Sequence, residues 1–163
     1  MSTAGAAGLS GLTANSFASL SLVPPLVLVC LRSGSATASV IARNKTFAVN
    51  VLSAEQEALA RRFASPSRPR DQLCFAGVPH RTETTGAAIL HSVACWFDCA
   101  LAAMPRAGDH LIVIGEVLDY DADADREPLV FHAGRYRAVG EREAGRRMLV
   151  SPSLEFTRKE VNR

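Results

Sequence analysis

Between Gly11 and Asn50 the chain twice sets a strand-like apolar segment beside a cluster of small hydroxyl and amide residues. The first cluster is Gly11-Leu12-Thr13-Ala14-Asn15-Ser16-Phe17, and the second is Ser33-Gly34-Ser35-Ala36-Thr37. Pro24-Pro25 and the apolar run Leu26–Leu31 lie between them, and Phe47-Ala48-Val49-Asn50 follows. Hydroxyls and backbone amides gathered before a helix can hold a phosphate, because the first N–H groups of a helix lack partners and its dipole is positive there. Apolar strands alongside can hold a flat ring, whose polar edge Asn15 and Ser16 could meet. The pattern thus suits a nucleotide-like cofactor. It suits a plain capped turn and a bulged edge strand as well; neither a Gly-Lys-Ser/Thr phosphate loop nor GxGxxG is present. A third group, His132 with Arg135 and Tyr136, follows an apolar segment. It combines an aromatic surface with a guanidinium that can meet a phosphate in bidentate fashion, or it is a polar turn.

Other chemistries find little support. No G-x-S-x-G elbow occurs, which disfavours a serine hydrolase. His80, His91, His110 and His132 show no HExxH or H-x-H spacing, so a metal centre is not expected. Cys30, Cys74, Cys95 and Cys99 form no CxxC pair and read as core thiols. Asp109 and His110 are neighbours, and on a strand neighbours point to opposite faces. The acidic set Asp119, Asp121, Asp123 and Asp125 lacks an EF-hand glycine and reads as a solvated loop.

The chain has 163 residues, 48% apolar and 21% charged, with a formal charge of +2. That length suits one domain, and so small a charge argues against nucleic acid. Arg142, Arg146, Arg147, Arg158, Lys159 and Arg163 are interspersed with acidic residues, as on a solvated tail. No window of about 18 apolar residues exists to span a membrane, and the first residues do not resemble a secretion signal. A cytoplasmic protein is expected.

The elements that must position these residues are mostly strands. Pro24-Pro25 breaks the chain before a strand over 26–31, continuous in apolar character and so expected to be buried on both faces. Thr37 or Ser39 is expected to cap a short helix ending near Arg43, followed by a strand over 46–52. Ser53 with Gln56 matches a capping box for a helix to about Phe63. Residues 88–103 read as one strand and His110–Leu118 as another. Asp119–Glu127 reads as an exposed hairpin tip, Pro128–His132 as the final strand, and 133–136 as a turn. With two helices early and hairpins late, the order disfavours a doubly wound parallel sheet. It predicts a mainly β protein built on a closed or partly closed antiparallel barrel.

Taken in order, the phrases resemble the flavin reductase family with the FMN-binding split-barrel fold. Gly11–Phe17 carries the resemblance with Ser19-Leu20-Ser21-Leu22, Pro24-Pro25-Leu26-Val27, Ser35-Ala36-Thr37, Phe47–Leu52 and Arg62-Phe63-Ala64. Gly108-Asp109-His110, Gly115-Glu116-Val117, Pro128-Leu129 and His132-Ala133-Gly134-Arg135-Tyr136 complete it, over about residues 11–137. The resemblance implies that Thr13, Ala14, Asn15, Ser16 and Phe17 line a flavin ring. Ser33, Ser35, Ala36 and Thr37 would surround its phosphate, with Asn50 and Arg62 near the ribityl chain and phosphate, and His132, Arg135 and Tyr136 on the nicotinamide side. It implies an NAD(P)H-dependent reductase of FMN or FAD that works as a homodimer and supplies reduced flavin to a partner monooxygenase. Hydride passes from nicotinamide C4 to flavin N5 in stacked rings, so no catalytic acid or base, and no metal, is expected. A flavin-binding electron carrier, or an oxidase of the pyridoxamine-phosphate-oxidase kind, would share the barrel. The family usually carries a helix and a first barrel strand before the Gly11 phrase, and only ten residues precede it here. Residues 1–10 are therefore expected to be a flexible or truncated edge, 11–137 the barrel domain and 138–163 a tail.

Overall fold

The computed structural model describes residues 1–69, 72–137 and 139; the expected tail over 138–163 lies, apart from Val139, outside them. The chain forms β1 (Ser2–Thr3), β2 (Ser10–Gly11), β3 (Phe17–Leu22), β4 (Pro25–Arg32), α1 (Ala36–Asn44), β5 (Thr46–Val51) and α2 (Glu57–Ala64). There follow β6 (His80–Thr82), β7 (Ala88–Leu90), β8 (Cys95–Ala103), β9 (Arg106–Ala107), β10 (His110–Ala122), β11 (Val130–His132) and β12 (Arg135–Arg137). The main sheet is antiparallel in the order β2-β1-β5-β8-β10-β4-β3, with β9 also paired to β10. β6–β7 and β11–β12 are separate hairpins.

This order forces the sheet to curl. β2 and β3 are the two ends of the path, yet only residues 12–16 separate them in sequence. Six Cα steps reach at most about 22 Å, whereas the outer strands of a flat path of this width would stand about 29 Å apart. The result is the split β-barrel, with residues 12–16 running across the split.

Two apolar clusters occupy the two faces of β5, as the alternation of a strand requires. Phe47 and Val49 join Val27, Val29, Leu31, Cys99, Val113 and the α1 residues Ala38 and Ile41. Ala48 instead meets Phe63, Phe75, Ile89, Leu90 and Trp96. On β8, Asp98 is fully buried. It takes the Thr85 N–H at 2.8 Å and the Thr85 hydroxyl, anchoring the turn before β7. Burial raises its carboxyl above the usual range. No helix among the described residues is long and apolar enough to cross a membrane.

Several sequence-based expectations change. Residues 1–10 are not loose: Ser2 pairs with Ala48 of β5, and Ser2, Thr3 and Ser10 are buried. β4 is buried on alternate positions, Val27, Val29 and Leu31, because an antiparallel sheet here packs one face on the core. Ser35, not Thr37 or Ser39, caps α1, accepting from the Ala38 N–H at 3.3 Å. Residues 88–103 are two strands, broken at Ser92 by a left-handed backbone (φ 59°). β10 runs on to Ala122, so Asp119 and Asp121 sit in the ladder opposite Asp98 and Trp96, and only 123–127 form the tip. β12 follows the strand expected to be last; Ala133 (φ 50°) and Gly134 (φ 76°) make the two-residue turn between β11 and β12, with the left-handed pair that suits the twist of a tight hairpin.

Gly115 of β10 is held by packing. A Cβ there would lie 2.3 Å from the ring of Phe47 and 2.9 Å from the Cβ of Cys99, and Phe47 is fully buried with no room to retreat. Gly115→Ala is expected to destabilise by about 2–3 kcal/mol through overpacking, lowering Tm by roughly 5–10 °C in a thermal melt.

Candidate active site

The irregular link 12–16 leaves backbone groups that no ladder serves, and hydroxyl side chains take up the work. Thr13 donates its N–H to the Phe63 carbonyl at 3.2 Å and its hydroxyl to the Ala60 carbonyl at 2.7 Å. The Phe63 carbonyl is among the last four of α2, which have no partner within the helix. Ser16 continues the β3–β4 ladder with its side chain, donating to the Cys30 carbonyl at 2.8 Å and accepting the Cys30 N–H at 3.1 Å. Asn15, between them, is exposed, and its amide makes no hydrogen bond among the described residues.

Behind this link lies an open cavity of about 540 Å³, within the range of cofactor sites. Its floor comes from both apolar clusters, with Val29 and Val49 on one side and Phe63, Phe75 and Leu90 on the other. Phe17 lines it too, its ring 5.5 Å from Phe97. Leu129, Phe131 and Tyr136 form a further wall. Among the described residues no charged side chain lines it. Such a space accepts a flat aromatic ring, with a polar edge offered at Asn15.

Of the residues singled out from sequence, Thr13, Ala14, Asn15, Phe17, Asn50 and Tyr136 meet around this cavity. Asn50 is already engaged: its amide donates to the Ser2 hydroxyl at 2.9 Å and the Ala88 carbonyl at 3.4 Å, and its oxygen accepts the Leu90 N–H at 2.8 Å. It ties β5 to β1 and β7. Ser16, Ser33, Ser35, Ala36, Thr37 and Arg62 do not line the cavity. Thr37 is buried with its hydroxyl 2.9 Å from that of Ser10, while the exposed Arg62 donates to the Ala76 carbonyl at 2.8 Å. Ser33 and Gly34 are exposed ahead of α1.

The β11–β12 hairpin packs Phe131 against Tyr136, with the rings tilted by 56° and centroids 5.1 Å apart, while His132 and Arg135 pair at its exposed turn. Asp109 and His110 do meet, at 2.7 Å, because Asp109 lies in the turn before β10. The bond from His110, helped by its charge, holds the Asp109 carboxyl below its usual range. This exposed pair is not part of the cavity. Sequence reasoning missed Phe75, Leu90 and Phe131 as cavity residues, since nothing in an apolar pattern separates a core side chain from one that walls an opening.

A family model described as a flavin reductase like domain matches residues 1–140. The NADH-dependent FAD reductase of Streptomyces globisporus is 39% identical over 136 residues, 83% of this chain and 75% of that protein. The flavin-dependent monooxygenase reductase subunit HsaB of Rhodococcus jostii is 36% identical over 129 residues, 79% of this chain and 64% of that one. The crystal structure of BorF, the flavin reductase component of a bacterial two-component tryptophan halogenase, superposes with a TM-score of 0.80 at 37% identity, covering 86% of this chain and 89% of BorF. With its split barrel, its apolar ring-sized cavity and this match over nearly all the described residues, the chain belongs to the flavin reductase family.

Proposed function

We propose that this protein is an NAD(P)H-dependent flavin reductase that supplies reduced FMN or FAD to a partner monooxygenase. The observation that carries the proposal is the cavity: apolar walls around a ring-sized space, with a free amide at its rim and no charged side chain among the described residues inside. Similarity to an NADH-dependent FAD reductase and to a monooxygenase reductase subunit supports the donor, the flavin and the partner.

In the proposed site Phe17, Phe63 and Val49 hold the ring faces and Asn15 meets a polar ring edge. Thr13 fixes the link that presents Asn15, and Tyr136 faces the second ring. Ser33 and Ser35 at the start of α1 remain the proposed phosphate contacts, outside the cavity. When bound, flavin supplies the acceptor for the nicotinamide hydride. The protein's own task is stacking, orientation and exclusion of water, worth several orders of magnitude in rate when reacting atoms are held together.

A homodimer is part of the proposal. Leu22 and Val23, 57% and 89% exposed at the end of the edge strand β3, offer it an apolar contact. Sedimentation should then read twice the 17.4 kDa chain mass. A cytoplasmic location is proposed on Cys30, Cys95 and Cys99, which carry free thiols, as a reducing compartment keeps them.

Purified protein mixed with FMN or FAD and NADH or NADPH should consume the nicotinamide, followed at 340 nm, well above a protein-free blank. Flavin binding without that oxidation would favour the electron carrier. Asn15→Ala is expected to weaken flavin binding by about three- to tenfold, the worth of one neutral hydrogen bond, with Tm unchanged. Asn50→Ala should do the reverse. It leaves the Leu90 N–H without its acceptor while the Ser2 hydroxyl keeps the Ala88 carbonyl, and it costs about 1–3 kcal/mol of stability, visible in denaturant unfolding.

A further inference from the structure

The β11–β12 hairpin forms one wall of the cavity and is barely attached to the rest of the protein. The backbone bonds that lead into it are all upstream: Ala54 N–H to the Glu127 carbonyl, the Ser53–Pro128 bridge, and Leu129 N–H to the Leu52 carbonyl at 2.8 Å. From Val130 to Arg137 its strands pair only with each other, outside the main sheet. Among the described residues, no hydrogen bond or ion pair joins 130–137 to the barrel.

One polar contact bridges the gap. The Arg61 guanidinium lies 5.0 Å from the centre of the Tyr136 ring, which also packs at a tilt against Phe131. Arg61 is aimed by Glu57, one turn earlier on α2, through contacts of 2.6 and 2.7 Å. The Glu57–Arg61 pair is largely exposed, so as an ion pair it adds little stability; its effect is to hold the guanidinium in place. The helix that carries Arg61 also holds Thr13 by its Ala60 and Phe63 carbonyls. α2 is thus a strut between the two sides of the cavity mouth.

We propose that Arg61 is a positioning residue that keeps the β11–β12 hairpin closed over the flavin cavity, so that the Arg61–Tyr136 contact sets how fast flavin leaves. This rests on the flavin reductase reading of the cavity. A reductase that hands its product to a second protein needs a wall firm enough to stack two rings and weak enough to open each turnover. A single cation–π contact, worth about 0.5–1 kcal/mol at an exposed position, has that strength. Its loss multiplies the open population by about two- to fivefold.

Arg61→Leu, Arg61→Lys and Glu57→Gln test this. Hydrogen exchange followed by mass spectrometry should show segment 129–137 exchanging about two- to fivefold faster in Arg61→Leu, with the rest of the barrel and Tm unchanged. The dissociation rate of FMN, read by recovery of its fluorescence on dilution, should rise by the same factor. Arg61→Lys should restore much of both effects, and Glu57→Gln should fall between. Unchanged exchange in 129–137, faster exchange spread over the whole chain, or a looser hairpin with an unaltered FMN dissociation rate would each overturn the proposal. Failure of the wild-type protein to bind flavin would overturn the cavity's assignment itself, an outcome distinct from a flavin-binding protein whose hairpin ignores Arg61.

Discussion

A short tether between the two ends of one sheet governs the structure. β2 and β3 are as far apart in the hydrogen-bonded order as strands can be, and the five residues 12–16 do not let them separate. The sheet must curl, and an antiparallel sheet that curls encloses the side chains of one face, here Val27, Val29, Phe47, Val49 and Val113. The same tether cannot be a strand, since it crosses the split where no neighbour runs beside it. Its backbone groups therefore need other partners. Thr13 finds them on α2, and the Ser16 side chain supplies them to Cys30. Asn15 stays free because its neighbours have absorbed the structural duty.

The closure also explains where the cavity lies. A fully closed barrel of this size would fill its interior with side chains. At the split, a five-residue link of mostly small residues replaces a strand, and space is left over. Walls come from clusters on opposite faces of β5, so the opening belongs to neither alone. The lack of charged side chains in its lining, among the described residues, fits chemistry that runs by stacking rings, in which a buried ionised group would carry a desolvation cost without a role. The polar residues of the neighbourhood, Arg61, Arg62, His132 and Arg135, stay at the surface.

Much of the cavity was legible in the sequence. The Gly11–Phe17 phrase contained five of its lining residues, whereas the turn expected over 133–136 is in part the strand β12 that closes one side. The capping box before α2 was equally plain: Gln56 accepts the Ser53 N–H at 3.0 Å. The local pattern left two answers open where they share one composition. Ser33–Thr37 has the residues of an anion loop and of a capped helix start; Ser35 caps α1, and Thr37 is turned inward to Ser10. Arg62 and Arg61 are adjacent and identical in type, yet only the helix phase decides that Arg62 meets Ala76 and Arg61 meets Tyr136.

What the sequence determined by itself is the two helices, the longer strands and the residue types at the opening, because caps, turns and alternation act over a few residues. Tertiary structure decided the rest. The pairing of Ser2 with Ala48, the burial of Asp98 against Thr85 and the meeting of Tyr136 with Arg61 join residues 13 to 75 positions apart. Contacts at such separations depend on the path of the whole sheet, and that path follows from the tether at residues 12–16, whose shortness has meaning only once its two strands are known to be the sheet's opposite ends.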